Sequence, residues 1–335
     1  MPLQGEVVQE YLRKFPNTGS LTLARIVYND NKELFNTVET ARNRIRYYRG
    51  AHGNGNRQSI TNKDFFRPLG TGADTFPSLP EGFTSIDEWE IFKITGDHKV
   101  LILGDIHIPY HSREAVEVAI KKGKESNPDI ILLNGDIFDF FTISRWEKDP
   151  RKRNFKLEIE MCKQFLEYLR YNFPNAEIIF KQGNHEERYE NYMFIKAPEL
   201  VGIENFTFAN ILDFEKFGIL EISEMKPIKL NECFIIHGHE YKFSISNPVN
   251  PARGLYLRSK VNCITNHFHQ SSAHSEKDIE DKVTSCWSLG HLSEPHPKYM
   301  PLNKWNHGFA TVETFGDKLF NVNSYKIIDN QIYSE

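Results

Sequence analysis

Apolar residues in the middle of the chain fall into short runs, Val100 to Leu103, Ile130 to Leu133 and Ile178 to Phe180, each bounded by polar residues. Runs of that length predict buried strands over 99–103, 130–133 and 177–180. Between them, 113–125 and 156–171 place their apolar residues at helical intervals. Strand and helix therefore alternate, the pattern of a layered α/β fold. Later strands are predicted at 233–236, 261–265, 283–287 and 309–313, with a closing hairpin around Gly316-Asp317.

The first fifty residues follow a different pattern. Helices are predicted over 6–14, 20–29 and 37–49, separated by Pro16-Asn17-Thr18-Gly19 and Asn29-Asp30-Asn31. That spacing suits a helix-turn-helix. In the third helix Val38, Ala41, Ile45 and Tyr48 share a packing face, while Arg42, Arg46 and Arg49 line a neighbouring one beside Asn43. Arginines so placed suit DNA phosphates or guanine edges, and a solvated bundle serving oligomer contacts is the alternative. From residue 51 to 88 glycines and prolines break every period, which predicts a linker, with Phe65-Phe66 and Phe76 as apolar islands that pin it to the body. The expected organisation is a small all-α domain over 1–50, a linker over 51–88 and an α/β domain over 89–335.

Composition narrows the class. With 335 residues, 39% hydrophobic and 26% charged, the chain suits one large globular domain and a small one. No window approaches the ~18 apolar residues of a membrane span, and the start lacks a signal-peptide layout. The expectation is a soluble cytoplasmic protein with no membrane partner. Cys162, Cys233, Cys263 and Cys286 form no close pair, so reduced, buried thiols are expected rather than a zinc knuckle or disulfides. The net charge of −4 conceals an asymmetry: residues 1–67 hold eleven Lys/Arg against six Asp/Glu, and the remainder thirty against thirty-nine. A basic front suits a polyanion, and an acidic body suits cations.

The chemistry lies at the strand ends. Gly104-Asp105-Ile106-His107 follows the first strand, Gly135-Asp136-Ile137-Phe138-Asp139 the second and Gly183-Asn184-His185-Glu186 the third. His237-Gly238-His239 and Asn266-His267-Phe268-His269 close two later ones. One histidine after a strand is more often structural, but five such endings gather carboxylates, imidazoles and an amide that cations would hold together. Two metal ions are implied. Oxygen and nitrogen donors without thiolate suit manganese, with iron or zinc as alternatives, better than calcium.

These motifs resemble those of the calcineurin-like metallophosphoesterase superfamily over roughly residues 97–310: Asp-x-His, Gly-Asp-x-x-Asp, Gly-Asn-His-Glu, a histidine after a strand, and a final His-x-His. The resemblance implies a β-sandwich flanked by helices. It also implies one ion on Asp105, His107 and His269, another on Asn184, His237 and His267, and Asp136 bridging them. His185 would protonate the leaving oxygen and Asp139 would orient it, in an in-line displacement at phosphorus. His239 is expected in a supporting or surface position, since His237 comes first after the strand. Two departures stand out. Asn266 replaces the usual Gly of the last motif, which should alter the loop more than the ligands. Phe140-Phe141 stands where phosphoprotein phosphatases carry Arg-Gly, which argues against a Ser/Thr protein phosphatase.

The basic run ending in Arg151-Lys152-Arg153 follows the second motif and could track a nucleic-acid backbone, or simply be a solvated lead-in to a helix. Arg188 and the stretch Trp305-Asn306-His307-Gly308 are further candidates for substrate contact. Motif spacing together with the basic stretch resembles phosphoesterases of phage and bacterial origin. The leading expectation is a dinuclear phosphoesterase cleaving phosphodiesters in nucleic acid. The alternatives are an enzyme acting on small nucleotides, or a DNA-binding or assembly protein that uses the domain as a scaffold; a second copy of the chain, as a homo-oligomer, is a further candidate partner.

Overall fold

Side chains alternate across a strand, so an apolar run can serve two cores at once. The computed structural model describes residues 3–67, 90–146, 154–223, 225–241 and 249–334. The chain divides into two compact units, Met1–Ser85 and Ile86–Glu335.

The first unit contains α1 (Gln4–Lys14), α2 (Ser20–Asp30), α3 (Val38–Tyr48) and the short α4 (Asn54–Ser59). Val8, Leu12, Leu23, Val27, Phe35, Ala41 and Ile45 form its core. Thr37 caps α3 by accepting the Thr40 N–H at 3.1 Å. Residues expected to open a linker belong here instead. Phe65 packs on the three-helix core, and Arg67 donates to the carbonyls of Pro16 and Thr18 at 3.0 and 3.1 Å. Phe65 therefore serves the N-terminal core, whereas Phe76 lies outside the described residues.

Arg49 corrects the expected DNA-facing row. Its side chain is buried and donates to Ser20 Oγ at 2.8 Å and to the carbonyls of Thr18 and Pro16 at 2.6 and 3.4 Å. Burial first and the Arg67 charge second bring its pKa down to about 10. Its Nη1 and Nη2 groups are engaged by the α1–α2 turn, and burial turns the side chain inward. Arg42 and Arg46 remain half-exposed, Arg42 pairing with Glu39 at 3.3 Å.

The second unit runs in the order β1 (Phe92–Ile94), β2 (Lys99–Leu103), α5 (Arg113–Ser126), β3 (Ile130–Asn134), α6 (Phe155–Asn172), β4 (Glu177–Lys181) and α7 (Glu187–Lys196). Next come the short α8 (Phe208–Ile211) and α9 (Phe214–Phe217), β5 (Ile219–Ile222), β6 (Ile228–Leu230), β7 (Cys233–Ile236), α10 (Pro251–Ser259) and β8 (Cys263–Thr265). The unit closes with β9 (Ser272–Lys277), β10 (Val283–Ser288), β11 (His307–Phe315), β12 (Leu319–Ile328) and β13 (Gln331–Ser334). One sheet has the order β13-β12-β11-β2-β3-β4-β5 and the other β1-β6-β7-β8-β10-β9. Strands β2, β3, β4 and β5 pair in parallel, as do β7 with β8 and β8 with β10.

The fold is thus a β-sandwich between helical layers. Val100, Ile102, Ile130, Leu132 and Ile179 face Ile228, Leu230, Ile235 and Ile264 in the core between the sheets. Their neighbours Leu101, Leu103, Ile131, Leu133, Ile178 and Phe180 face the other way, beneath α5 and α6. On the outer face of the second sheet, Ala252 and Leu255 of α10 cover Ile236, Cys263 and Cys286. All four cysteines are free and buried. Among the described residues, no helix is long and apolar enough to cross a membrane.

An aromatic cluster anchors the strand ends. Phe180 lies 5.4, 5.7 and 5.1 Å, between ring centroids, from Phe138, Phe208 and Phe214. Phe180→Ala should destabilise the second unit by about 3–5 kcal/mol, read as a shift in the denaturant midpoint.

Candidate metal centre

Parallel strands aim their carboxyl ends in one direction, and a ligand crevice opens there. The loops after β2, β3, β4, β7 and β8 converge at that edge, and the sequence-predicted donors converge with them. The ligating atoms of Asp105, His107 and His269 lie within 4.8 Å of one another, as do those of Asp136, His237 and His267. Asp136 stands between the two sets, its Oδ2 being 3.3 Å from His237 Nε2 and 4.0 Å from His107 Nε2.

Unusual backbone delivers these side chains. Asp105, His107, Asp136, His267 and His269 have φ of 50, 56, 51, 69 and 56°. Residues with a Cβ avoid that left-handed region, at a cost on the order of 1 kcal/mol or more each. Tight packing of backbone against side chain accompanies the strain. A Cβ on Gly135 would strike His237 Nδ1, and one on Gly183 would strike the Asp136 carboxylate and main-chain nitrogen. Glycine in these two motifs makes room for a neighbouring donor.

Hydrogen bonds then fix the donors. The His267 N–H donates to Asp105 Oδ2 at 2.7 Å, and the His185 N–H to Asp136 Oδ1 at 2.9 Å. His237 is oriented by the carbonyl of Asn134, 2.8 Å from its Nδ1, which turns Nε2 toward Asp136. Asp139 Oδ2 lies 3.1 Å from His107 Nδ1 and 3.3 Å from His185 Nδ1, so it supports both rings. A carboxylate behind a ligating imidazole fixes its tautomer and raises its basicity. His239 packs beside His237 and His267, with ring centroids 5.3 and 6.4 Å away, and its Nε2 lies 3.1 Å from Glu187 Oε1.

The donor set fits a pair of cations. Asp105 Oδ1, Asn184 Oδ1 and His237 Nε2 are buried without a well-formed hydrogen bond, a costly state for polar atoms unless an ion completes them. His107 Nε2 and His269 Nε2 are 3.1 Å apart. Two imidazole nitrogens each ~2.0–2.1 Å from one ion at a right angle stand about that far apart. Burial works against ionised carboxylates, yet His269 and His237 keep Asp105 low, and His185 and His237 keep Asp136 well below the usual range. Burial likewise opposes a charged His237, but Asp136 outweighs it and raises that ring to about 10. Burial and His237 hold His267 down at about 4. The carboxylates therefore call for positive charge that a single proton supplies unevenly.

Several supporting residues escaped the sequence reading. Glu186 was only the last letter of a motif, but its buried carboxylate accepts the N–H groups of Asp136, Phe138 and Gly183 at 3.0, 2.9 and 2.8 Å. It binds the loop after β3 to the loop after β4. Burial first, then Asp136, raises its pKa to about 7. Asn134 donates from Nδ2 to the Ile236 carbonyl at 2.8 Å and to Asn266 Oδ1 at 2.9 Å. The unusual Asn266 is thereby built into the floor under His237, leaving the ligands that follow it in place. Buried Lys181 meets Glu240 at 2.9 Å, and His291 stacks on His269 at 5.0 Å. A lone Lys closing an apolar strand was the available signal for that ion pair.

Two expected substrate contacts have structural partners. Arg188 donates to the Asp139 carbonyl at 2.6 Å and to its Oδ1 at 3.0 Å, and lies 2.9 Å from His185 Nε2. Asn306 donates its N–H to the His269 carbonyl at 3.0 Å, and its side chain clasps Ser271. Arg151, Lys152 and Arg153 lie outside the described residues.

Glu186→Ala should leave three main-chain donors without their acceptor and weaken manganese binding by about 10–100-fold in calorimetric titration. Glu186→Gln, which keeps one acceptor oxygen, should fall between the variant and the parent.

Comparison with known proteins agrees with this geometry. The chain is 28% identical over 178 residues to the Gene 54 protein of Mycobacterium phage L5, covering 51% of this chain and 69% of that protein. It is 26% identical over the same length to the Gene 54 protein of Mycobacterium phage D29, with the same coverage. Among solved structures, Vps29 from Entamoeba histolytica aligns with a TM-score of 0.37 and 15% identity, over 71% of this chain and 97% of that one. A dimetal phosphatase from Danio rerio aligns with a TM-score of 0.30 and 10% identity, over 67% and 98%. These structural overlaps are loose. Residues 98–299, which carry all five strand-end motifs, match the calcineurin-like phosphoesterase family. The chain belongs to the calcineurin-like phosphoesterase family.

Proposed function

We propose that the protein is a dinuclear, metal-dependent hydrolase of phosphodiesters, and that those diesters are in nucleic acid. The observation that carries the metal-centre reading is the place of Asp136, within 4.0 Å of imidazoles from both donor sets. On this reading Asp105, His107 and His269 hold one ion, Asn184, His237 and His267 hold the other, and Asp136 spans both. Paired divalent ions, manganese in the first instance, supply Lewis-acid stabilisation of phosphoryl oxygens and a water-derived nucleophile at neutral pH.

The chain's own residues supply proton handling and orientation. Burial disfavours a charged His185, but Asp136 and Asp139 outweigh it, and the ring titrates above the ordinary imidazole range. It can therefore carry a proton toward a departing oxygen. Asp139 holds that ring in place from its Nδ1 side, while the Arg188 guanidinium beside Nε2 favours release of the proton. Phe140 supports the choice of substrate class. It is buried among Phe138, Phe155 and Phe208, so the position brings an apolar ring where a phosphoprotein phosphatase would bring a cation. The basic first unit supports a polyanionic substrate, with Arg42 and Arg46 half-exposed on α3.

Manganese-loaded protein should hydrolyse bis(p-nitrophenyl) phosphate and lose the activity reversibly to a chelator. His185→Ala should lower kcat by about 10²–10⁴-fold, whereas Asp136→Asn should also lower the bound metal. Metal-replete protein inert toward every phosphoester would overturn the reading. If the first unit holds DNA, the log–log salt dependence of duplex binding should flatten by about one for each of Arg42→Ala and Arg46→Ala. A slope that neither change alters would assign those arginines elsewhere.

A further inference from the structure

The mouth of the metal centre carries more aromatic surface than chemistry at phosphorus requires. Trp305 sits edge-on to the ligand His269, with ring centroids 4.3 Å apart, and Tyr299 lies 6.1 Å beyond it. Tyr299 is 73% exposed. On the segment after His107, Tyr110 donates its N–H to the His107 carbonyl at 2.6 Å, and its ring is 45% exposed. Both tyrosines lie within reach of the Asp139 charge. Loss of water around the hydroxyl, then the charge of Asp139, pushes the Tyr299 phenol up to about 12, and the same two causes raise Tyr110. Lys298 and Lys304, each exposed, adjoin Tyr299 and Trp305 in sequence.

Single exposed apolar residues are ordinary on a protein surface. Here, however, the rings border a site for phosphoester chemistry and alternate with cations. Aromatic faces receive unstacked bases, and lysines beside them meet the phosphates between those bases. We propose that Tyr299, Trp305 and Tyr110 form a nucleobase-stacking clamp at the metal centre, so that the substrate is single-stranded nucleic acid with the base next to the scissile phosphate held on these rings. A duplex keeps its bases stacked on one another and offers the rings no face. The inference rests on the phosphodiesterase reading, which it deepens by naming the strand form.

The test compares thymidine 5′-(p-nitrophenyl phosphate) with its abasic counterpart, in which hydrogen replaces the base, using the manganese-loaded full chain. Both esters have the same leaving group, so the ratio of their kcat/KM values isolates the base. A ratio of about 5 to 150 is expected for the parent, falling close to one in Tyr299→Ala and surviving in Tyr299→Phe. A parent ratio near one, or an undiminished ratio in Tyr299→Ala, would overturn the clamp. Binding provides a second readout, by tryptophan fluorescence, with a short oligothymidylate and an abasic chain of equal length. If neither ester nor bis(p-nitrophenyl) phosphate is hydrolysed, the phosphodiesterase reading fails by itself. Tighter binding of oligothymidylate that is lost in Tyr299→Ala then upholds the clamp, and equal affinity for the two chains removes it.

Discussion

A single buried carboxylate holds the catalytic edge together. Glu186 grips three main-chain N–H groups from two loops that have no ladder bonds to each other. Together with the bond from the His185 N–H to Asp136 Oδ1, that grip sets Asp136 relative to Asn184 and His185. The parallel strands bring the loops to the same edge, and Glu186 converts that neighbourhood into geometry at the ångström level.

The backbone at this edge is held far from its preferred conformations. Five donor residues occupy left-handed φ, and the cost is borne by the surrounding structure, chiefly the two cores of the sandwich and the aromatic cluster around Phe180. Strain of this kind is typical of sites in which side-chain direction matters more than local comfort. The same turns allow one short motif to send two donors to one place while the residue between them packs in the core. Asp105 and His107 are separated by a single residue, yet Ile106 between them is fully buried in the core.

Much of this was legible in the sequence because the signals were local. The runs at 99–103 and 130–133 announced strands, and Asp105, His107, Asp136, Asn184, His237, His267 and His269 followed strands at once, so the topology alone brought them together. Signals that depend on distant partners were not legible. Arg49 looked like another member of an arginine row, and only the packed α1–α2 turn shows its donors turned inward. Glu186, Asn134 and Lys181 have partners far along the chain or in main-chain groups, which no periodicity records. The helices α7 and α10 and the strands β1, β5, β6 and β9 were missed for a related reason, being short or weakly patterned and stabilised by what they pack against.

The buried pair Lys181–Glu240 connects the two halves of the sandwich, since Lys181 ends β4 and Glu240 follows the β7 loop that carries His237. Glu240 also accepts the His237 N–H at 3.0 Å. Burial raises its pKa, but Lys181 overcomes this and brings it down to about 2. A carboxyl depressed in the folded state contributes stability that is complete above its unfolded pKa and disappears only as pH falls through the folded value. Acid therefore loosens this join between the two sheets only near the bottom of the pH scale, so the frame that places His237 outlasts mild acid.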